Sequence, residues 1–251
     1  MLNIVIPMAG RGSRFAKEGY SEPKPLITMT DKRMIEVVVN NLRPNREHRF
    51  IFVCQQEHLE KYAYEQELNR IAPGCVVIGI NGITEGAACT VMCAEAYIDN
   101  THPLMIANSD QWVDVDINDY LSKMDEDGLD GLIMTMKAGD AKWSYAKVND
   151  EKKVTAVVEK VVVSDEATVG IYNYKHGNEF CRHVKAMIAK DERSNGEFYV
   201  APVYTYMYEQ DNANIGIYNV GEEANGMYGL GTPADLELFK TLTVYHKAIS
   251  F

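Results

Sequence analysis

Two cations and a pair of glycines stand near the start of the chain in an order that suits phosphate chemistry. Ala9-Gly10-Arg11-Gly12-Ser13-Arg14 follows a short apolar run, and Lys24 comes ten residues after Arg14, between Pro23 and Pro25. Glycines let backbone N–H groups approach an anion closely. A strand–loop–helix setting places those groups at a positive helix end. The prolines predict an extended backbone at Lys24, and a fixed lysine beside such a loop suits a triphosphate or a transferring phosphoryl group. Neither common nucleotide fingerprint is complete: Phe15 stands where a dinucleotide fingerprint has its third glycine, and no Gly-Lys-Ser/Thr follows the loop. Taken alone, the loop also reads as a tight turn and Lys24 as a solvated lysine.

A carboxylate follows a later apolar run, at Ile106-Ala107-Asn108-Ser109-Asp110. Open α/β sheets bind ligands at such strand ends, and Asp110 there could hold Mg²⁺ between protein and phosphates. A turn-forming aspartate is the alternative. The six histidines are scattered, and Cys54, Cys75, Cys89, Cys93 and Cys181 form no CxxC. These cysteines read as small buried side chains in a reducing, cytoplasmic setting rather than as disulfides or a zinc site.

The elements that must position these residues alternate in type. Strands are expected at 3–7, 49–54, 75–80 and 102–107, with helices at 33–42, 57–71 and 84–97, the last capped by Thr84 with Glu85 at its positive end. That alternation implies an α/β fold with a mostly parallel sheet. Close-spaced strands at 129–136, 144–148, 154–158 and 168–174 make the sheet mixed. Helices at 177–189 and 233–248 complete the chain. With 251 residues, 46% apolar and 24% charged, and no linker or repeat, one domain is expected, 1–110 mainly binding nucleotide and 111–251 mainly binding substrate. The formal net charge of −11 argues against nucleic-acid polymers and anionic membranes as partners. It leaves room for a local positive pocket. No apolar run approaches the roughly 18 residues of a membrane span, and the N-terminus does not read as a signal peptide.

Gly10-Arg11-Gly12-Ser13-Arg14 with Pro23-Lys24-Pro25-Leu26 resembles the signature of the sugar-phosphate nucleotidyltransferases, the nucleotide-sugar pyrophosphorylases. Pro7-Met8-Ala9-Gly10 replaces the usual Leu-Ala-Ala-Gly and is similar to members serving capsule and surface polysaccharides, some filed as family 2 glycosyltransferases. The resemblance implies a Rossmann-like three-layer α/β/α core of the type shared with those glycosyltransferases. It implies that Met8, Ala9, Gly10, Gly12 and Ser13 bind nucleotide, that Arg14 and Lys24 act on its phosphates, and that Asp110 binds Mg²⁺. Thr84-Glu85-Gly86-Ala87-Ala88 resembles the segment against the base, with Gly86 and Ala88 leaving room for a flat ring. Val158-Glu159-Lys160 with Gly170-Ile171-Tyr172 resembles the acceptor site, although Val161 replaces a proline. There Glu159 would meet hydroxyls, Lys160 a phosphate, and Gly170 would admit the substrate ring. Glu197 lies where an acidic residue faces the acceptor.

Gly231-Thr232-Pro233 aligns with the family's Asp-x-Gly-Thr and puts Gly229 where a second metal-binding aspartate is usual. Asp235 is one possible substitute. The implied reaction moves a nucleoside monophosphate from a triphosphate to a phosphorylated sugar or small phosphoester, with pyrophosphate leaving and no covalent intermediate. The ionised acceptor needs no general base. Asp114-Val115-Asp116 has the Asp-x-Asp spacing of a glycosyltransferase, a second reading. Cytidylyl transfer to a non-sugar phosphoester such as phosphocholine is a third, and a nucleotide-binding protein without activity a fourth. Base, acceptor and homo-oligomeric state stay open.

Overall fold

The computed structural model describes residues 1–251. The first apolar run forms β1 (Leu2–Pro7), with Ile4 and Ile6 in one core and Val5 in another, all fully buried. Burial on both faces is expected of a strand covered by helices above and below. β2 (Thr28–Met29) and β3 (Lys32–Arg33) make a separate small hairpin. The other strands are β4 (His48–Gln55), β5 (Val76–Ile80), β6 (Leu104–Ala107), β7 (Gln111–Val113), β8 (Gly131–Lys137), β9 (Ser144–Val148), β10 (Val154–Glu159), β11 (Glu166–Tyr174), β12 (Ile215–Glu223) and β13 (Gly226–Gly229).

With β1 these ten form one eleven-stranded sheet in the order β5-β4-β1-β6-β11-β8-β12-β13-β7, and β9 and β10 join it as a hairpin against β11. β5, β4, β1 and β6 are parallel. β11 runs against β6 and β8, β12 and β13 resume the first direction, and β7 closes the edge reversed. Helices Met34–Leu42, Tyr64–Ile71 and Ile117–Glu126 pack on one face. Ala87–Met92, Gly177–Ala189 and Val203–Asp211 pack on the other. The result is the expected three-layer α/β/α fold with a mixed, mostly parallel sheet. A third apolar cluster joins Phe15 and Trp112 to Tyr228, Phe239 and Tyr245, anchoring the C-terminal helices beside the loop after β1. No helix is long and apolar enough to cross a membrane.

Several local expectations change. The helix expected over 57–71 is two, Gln56–Lys61 and Tyr64–Ile71, because Ala63 turns left-handed at φ 49°. The turn re-aims the second piece so that Tyr64, Leu68 and Ile71 reach the core. The helix expected from Thr84 begins at Ala87 and breaks before Glu95. Thr84 does not cap it: its hydroxyl donates to the Gly86 carbonyl at 3.0 Å, and Gly86 holds the cap position. The last helix also divides, into Pro233–Thr241 and Val244–Ile249, with Leu242 extended between them. Lys24 is not extended. It opens a short 3₁₀ turn over Lys24–Leu26, where the missing N–H of Pro25 costs no hydrogen bond.

The second half contains one buried histidine outside any site. His183 is fully buried, with Nε2 2.8 Å from Asp211 Oδ2 and no partner for Nδ1. Burial holds its pKa below the ordinary value and Arg182 adds to this, against the pull of Asp211 and Glu179. The unfolded imidazole takes up a proton near pH 6.5 that the folded one resists, so this group costs stability as pH falls below about 6.5. In thermal unfolding from about pH 7 to about pH 5.5, His183→Gln should flatten the fall in Tm; an unchanged slope would contradict this account.

Candidate active site

The carboxyl ends of β1 and β6 lie side by side, because the two strands pair in parallel with Asn3 opposite Leu104 and Val5 opposite Ile106. The glycine loop therefore leaves the sheet next to Asn108-Ser109-Asp110. Lys24 Nζ reaches Asp110 Oδ2 at 2.7 Å, with both side chains about four-fifths covered. They wall a cavity of about 230 Å³ with Pro7, Met8, Gly10, Gly12, Pro25, Asn108 and Ser109. Gly12 is left-handed at φ 59°, a conformation that favours glycine, and the lysine turn packs against it, since a Cβ there would stand 3.4 Å from Lys24 Cβ. The space beside Gly10 is open. The Gln55 amide bonds both the Ala9 and Gly82 carbonyls and so fixes the back of the loop.

A second cavity of about 250 Å³ adjoins the first and shares Pro7 and Asn108 with it. Its walls include Trp143, Tyr172 and Tyr199, with Glu159, Ser144 and Gly170 among the other lining residues and Ala87 contributed by the first half. Glu159 accepts a hydrogen bond from Ser144. Burial nonetheless raises its pKa, which Ser144 and Lys160 oppose and Glu197 reinforces. Lys160 turns left-handed at φ 57° and rests beside Tyr199, with Nζ 3.4 Å from the phenol oxygen.

The structure thus gathers Met8, Gly10, Gly12, Lys24 and Asp110 in one cavity, and Ala87, Glu159 and Gly170 in the next. Ser13, Arg14 and Glu197 are exposed and line neither, and Arg14 makes no ion pair. The room expected beside Gly86 is taken by protein: at φ 134°, a Cβ there would lie 2.4 Å from the Phe198 carbonyl oxygen. Glu85 turns outward to pair with Arg193. The room at Gly170 is likewise filled, by Asn108 and Gln111 side chains rather than kept for a ring. Asn108 was missed because a residue two before an aspartate carries no motif of its own.

The carboxylate nearest to Gly229 is that of Asp235. A Cβ on Gly229 would point to Asp235, whose carboxylate lies 4.0 Å away in a different cavity beside Glu223 and Leu238. Gly231, not Gly229, is the neighbour of Asp110, since its Cβ would stand 3.0 Å from Oδ2. Asp116 is the N-cap of helix Ile117–Glu126 and accepts from Asn118 N–H at 2.8 Å, while Asp114 pairs with Lys247. The Asp-x-Asp spacing is therefore absorbed by a helix start and a surface pair.

The sequence profile described as nucleotidyl transferase matches residues 4–216. The chain belongs to the nucleotidyl transferase family. Solved structures agree in fold. A nucleoside-diphosphate-sugar pyrophosphorylase from Vibrio cholerae RC9 superposes with a TM-score of 0.79 at 22% identity, covering 95% of this chain and 100% of that one. A UDP-glucose pyrophosphorylase from Acinetobacter baumanii gives 0.73 at 19%, covering 100% and 95%. An inositol-1-phosphate CTP transferase from T. maritima gives 0.69 at 16%, covering 99% and 94%. No curated protein matches the chain significantly.

For this nucleotidyl transferase, Lys24→Met should lower turnover by about 10²-fold or more. Tm should move little, because a partly exposed ion pair contributes at most about 1 kcal/mol. Asp110→Ala should be similarly damaging and Asp114→Ala nearly silent. The reverse pattern in a steady-state assay would return weight to the Asp-x-Asp reading.

Proposed function

We propose that the protein transfers a nucleoside monophosphate from a nucleoside triphosphate to the phosphate of a small phosphorylated sugar or related phosphoester, releasing pyrophosphate, in the supply of activated precursors for capsule or surface polysaccharide. The observation that carries this reading is the pair of adjoining cavities, one bearing the glycine loop and Lys24–Asp110, the other aromatic walls and Glu159. One holds a triphosphate and the other an acceptor, and they meet where a bond must change.

An acceptor phosphate oxygen forms a bond to the α-phosphorus as the bond from that phosphorus to the bridging oxygen breaks, and the electron pair leaves with pyrophosphate. The nucleophile is already ionised, so the chain's task is to place two polyanions in line and offset their charge. The backbone at Gly10 and Gly12 cradles the triphosphate. Lys24 faces the α-phosphate, Lys160 stands near the incoming phosphate at the rim, and Glu159 accepts from acceptor donors. Arg14, exposed and unpaired, is free to swing onto the departing pyrophosphate.

The residues fit one Mg²⁺. Only Oδ2 of Asp110 is engaged by protein, no cluster of three ligating side chains exists, and Mg²⁺ commonly uses one or two carboxylates, completing its shell with phosphate and water. When bound there, it would offset charge on the phosphates.

Lys142 Nζ lies 4.9 Å from the Trp143 ring and Lys160 Nζ 5.6 Å from the Tyr199 ring, so the chain's own cations already lie over these aromatic faces. A phosphorylated amine is the second reading, in which the Glu159 carboxylate in this cavity would meet the ammonium head. Both readings are tested together by pyrophosphate release with each of four nucleoside triphosphates against sugar 1-phosphates, phosphoethanolamine and phosphocholine. Release with at least one pair is expected, and silence across the panel would refute nucleotidyl transfer.

A further inference from the structure

The two cavities share only Pro7 and Asn108. Proline carries no polar side-chain group, so Asn108 supplies the sole polar side chain at their seam. It follows directly on β6, and its backbone N–H donates to the Gly170 carbonyl at 3.0 Å. Its carboxamide is on an exposed residue and makes no hydrogen bond to protein.

Beneath that amide, β11 is irregular. The register against β8 shifts between Thr168 and Tyr172, and Gly170 inside the shift has φ +79°. A Cβ on Gly170 would lie 2.1 Å from Asn108 Nδ2 and 2.9 Å from Gln111 Oε1. No side chain fits there while Asn108 keeps its place. Bulges of this kind often re-aim a side chain beside an active site.

We infer that Asn108 is a catalytic residue, its amide N–H donating to a phosphate oxygen at the seam where the bond changes, and that Gly170 is a positioning residue whose missing side chain keeps the amide there. This rests on the nucleotidyl-transfer reading. As the acceptor oxygen bonds to the α-phosphorus and the bridging oxygen departs, charge spreads over the non-bridging oxygens. A neutral donor at the seam stabilises that charge more in the transition state than in either bound reactant. The amide neither gains nor loses a proton.

Asn108→Ala should lower kcat by about 10²-fold, the loss typical of one oxyanion donor, while triphosphate affinity by calorimetry stays within about threefold. Gly170→Ala should lower kcat through displacement of Asn108, and in the Asn108→Ala background it should add little, the non-additivity expected of two residues acting as one. Circular dichroism and Tm separate misfolded Gly170→Ala protein from the effect, and Asn108→Ala does not depend on it. Asn108→Ala within threefold of wild type, or two losses that multiply, would overturn the inference. If the wild-type protein transferred nothing to any acceptor, the preceding reading would fall. The Asn108 side-chain amide resonance, identified by its absence in Asn108→Ala, would then decide alone. A shift on saturation with any of the four nucleoside triphosphates upholds the contact, and no shift with any of them overturns it.

Discussion

β1 pairs in parallel with β4 on one side and β6 on the other, and the rest of the site depends on that alignment. Parallel neighbours end at the same edge, so the loop after β1, the Gln55 end of β4 and the Asn108–Asp110 turn after β6 meet with no adjustment by flexible segments. Residues 86 positions apart then form an ion pair as a matter of register. The strands are apolar on both faces because helices cover both, which leaves the loops at the edge as the place where polar chemistry can reach solvent.

The reversed strand β11 does different work. Lying against both β6 and β8, it brings Gly170 under Asn108 and carries Tyr172 into the wall of the second cavity. The second half is tied to the first by backbone as well as by sheet: Ala88 N–H donates to the Phe198 carbonyl and Phe198 N–H to the Glu85 carbonyl. Gly86 permits that approach and Arg193 closes it, its guanidinium 4.2 Å from the Phe198 ring centre and paired with Glu85. The segment that resembles a base-binding motif is therefore also a structural clasp.

Much of this was legible in the sequence, and the reasons for the rest are physical. Long apolar runs such as Ile4–Ile6, Phe50–Val53 and Leu104–Ala107 declare themselves as strands, and Gly10, Gly12 and Lys24, grouped from their types and order, do line one cavity. β7, three residues long, and β13, four, hold too few positions to show a period. The break at Ala63 contains neither glycine nor proline, and tertiary packing of Tyr64 decides it. Resemblance and charge together point to Arg14, while its side-chain direction is set by a five-residue helix on whose exposed face it stands. Gly86 and Gly170 were recognised as positions needing room. What fills the room, Phe198 backbone in one case and Asn108 in the other, comes from residues distant in sequence.

The Lys24–Asp110 pair has one more consequence. Each charge satisfies the other, so the wall is nearly neutral despite its composition. A ligand bringing only negative charge gains the lysine but is left facing an unmatched carboxylate. One bringing only positive charge meets the converse. A ligand carrying both signs would replace each partner for the other, so two such side chains would favour a paired salt over either of its ions.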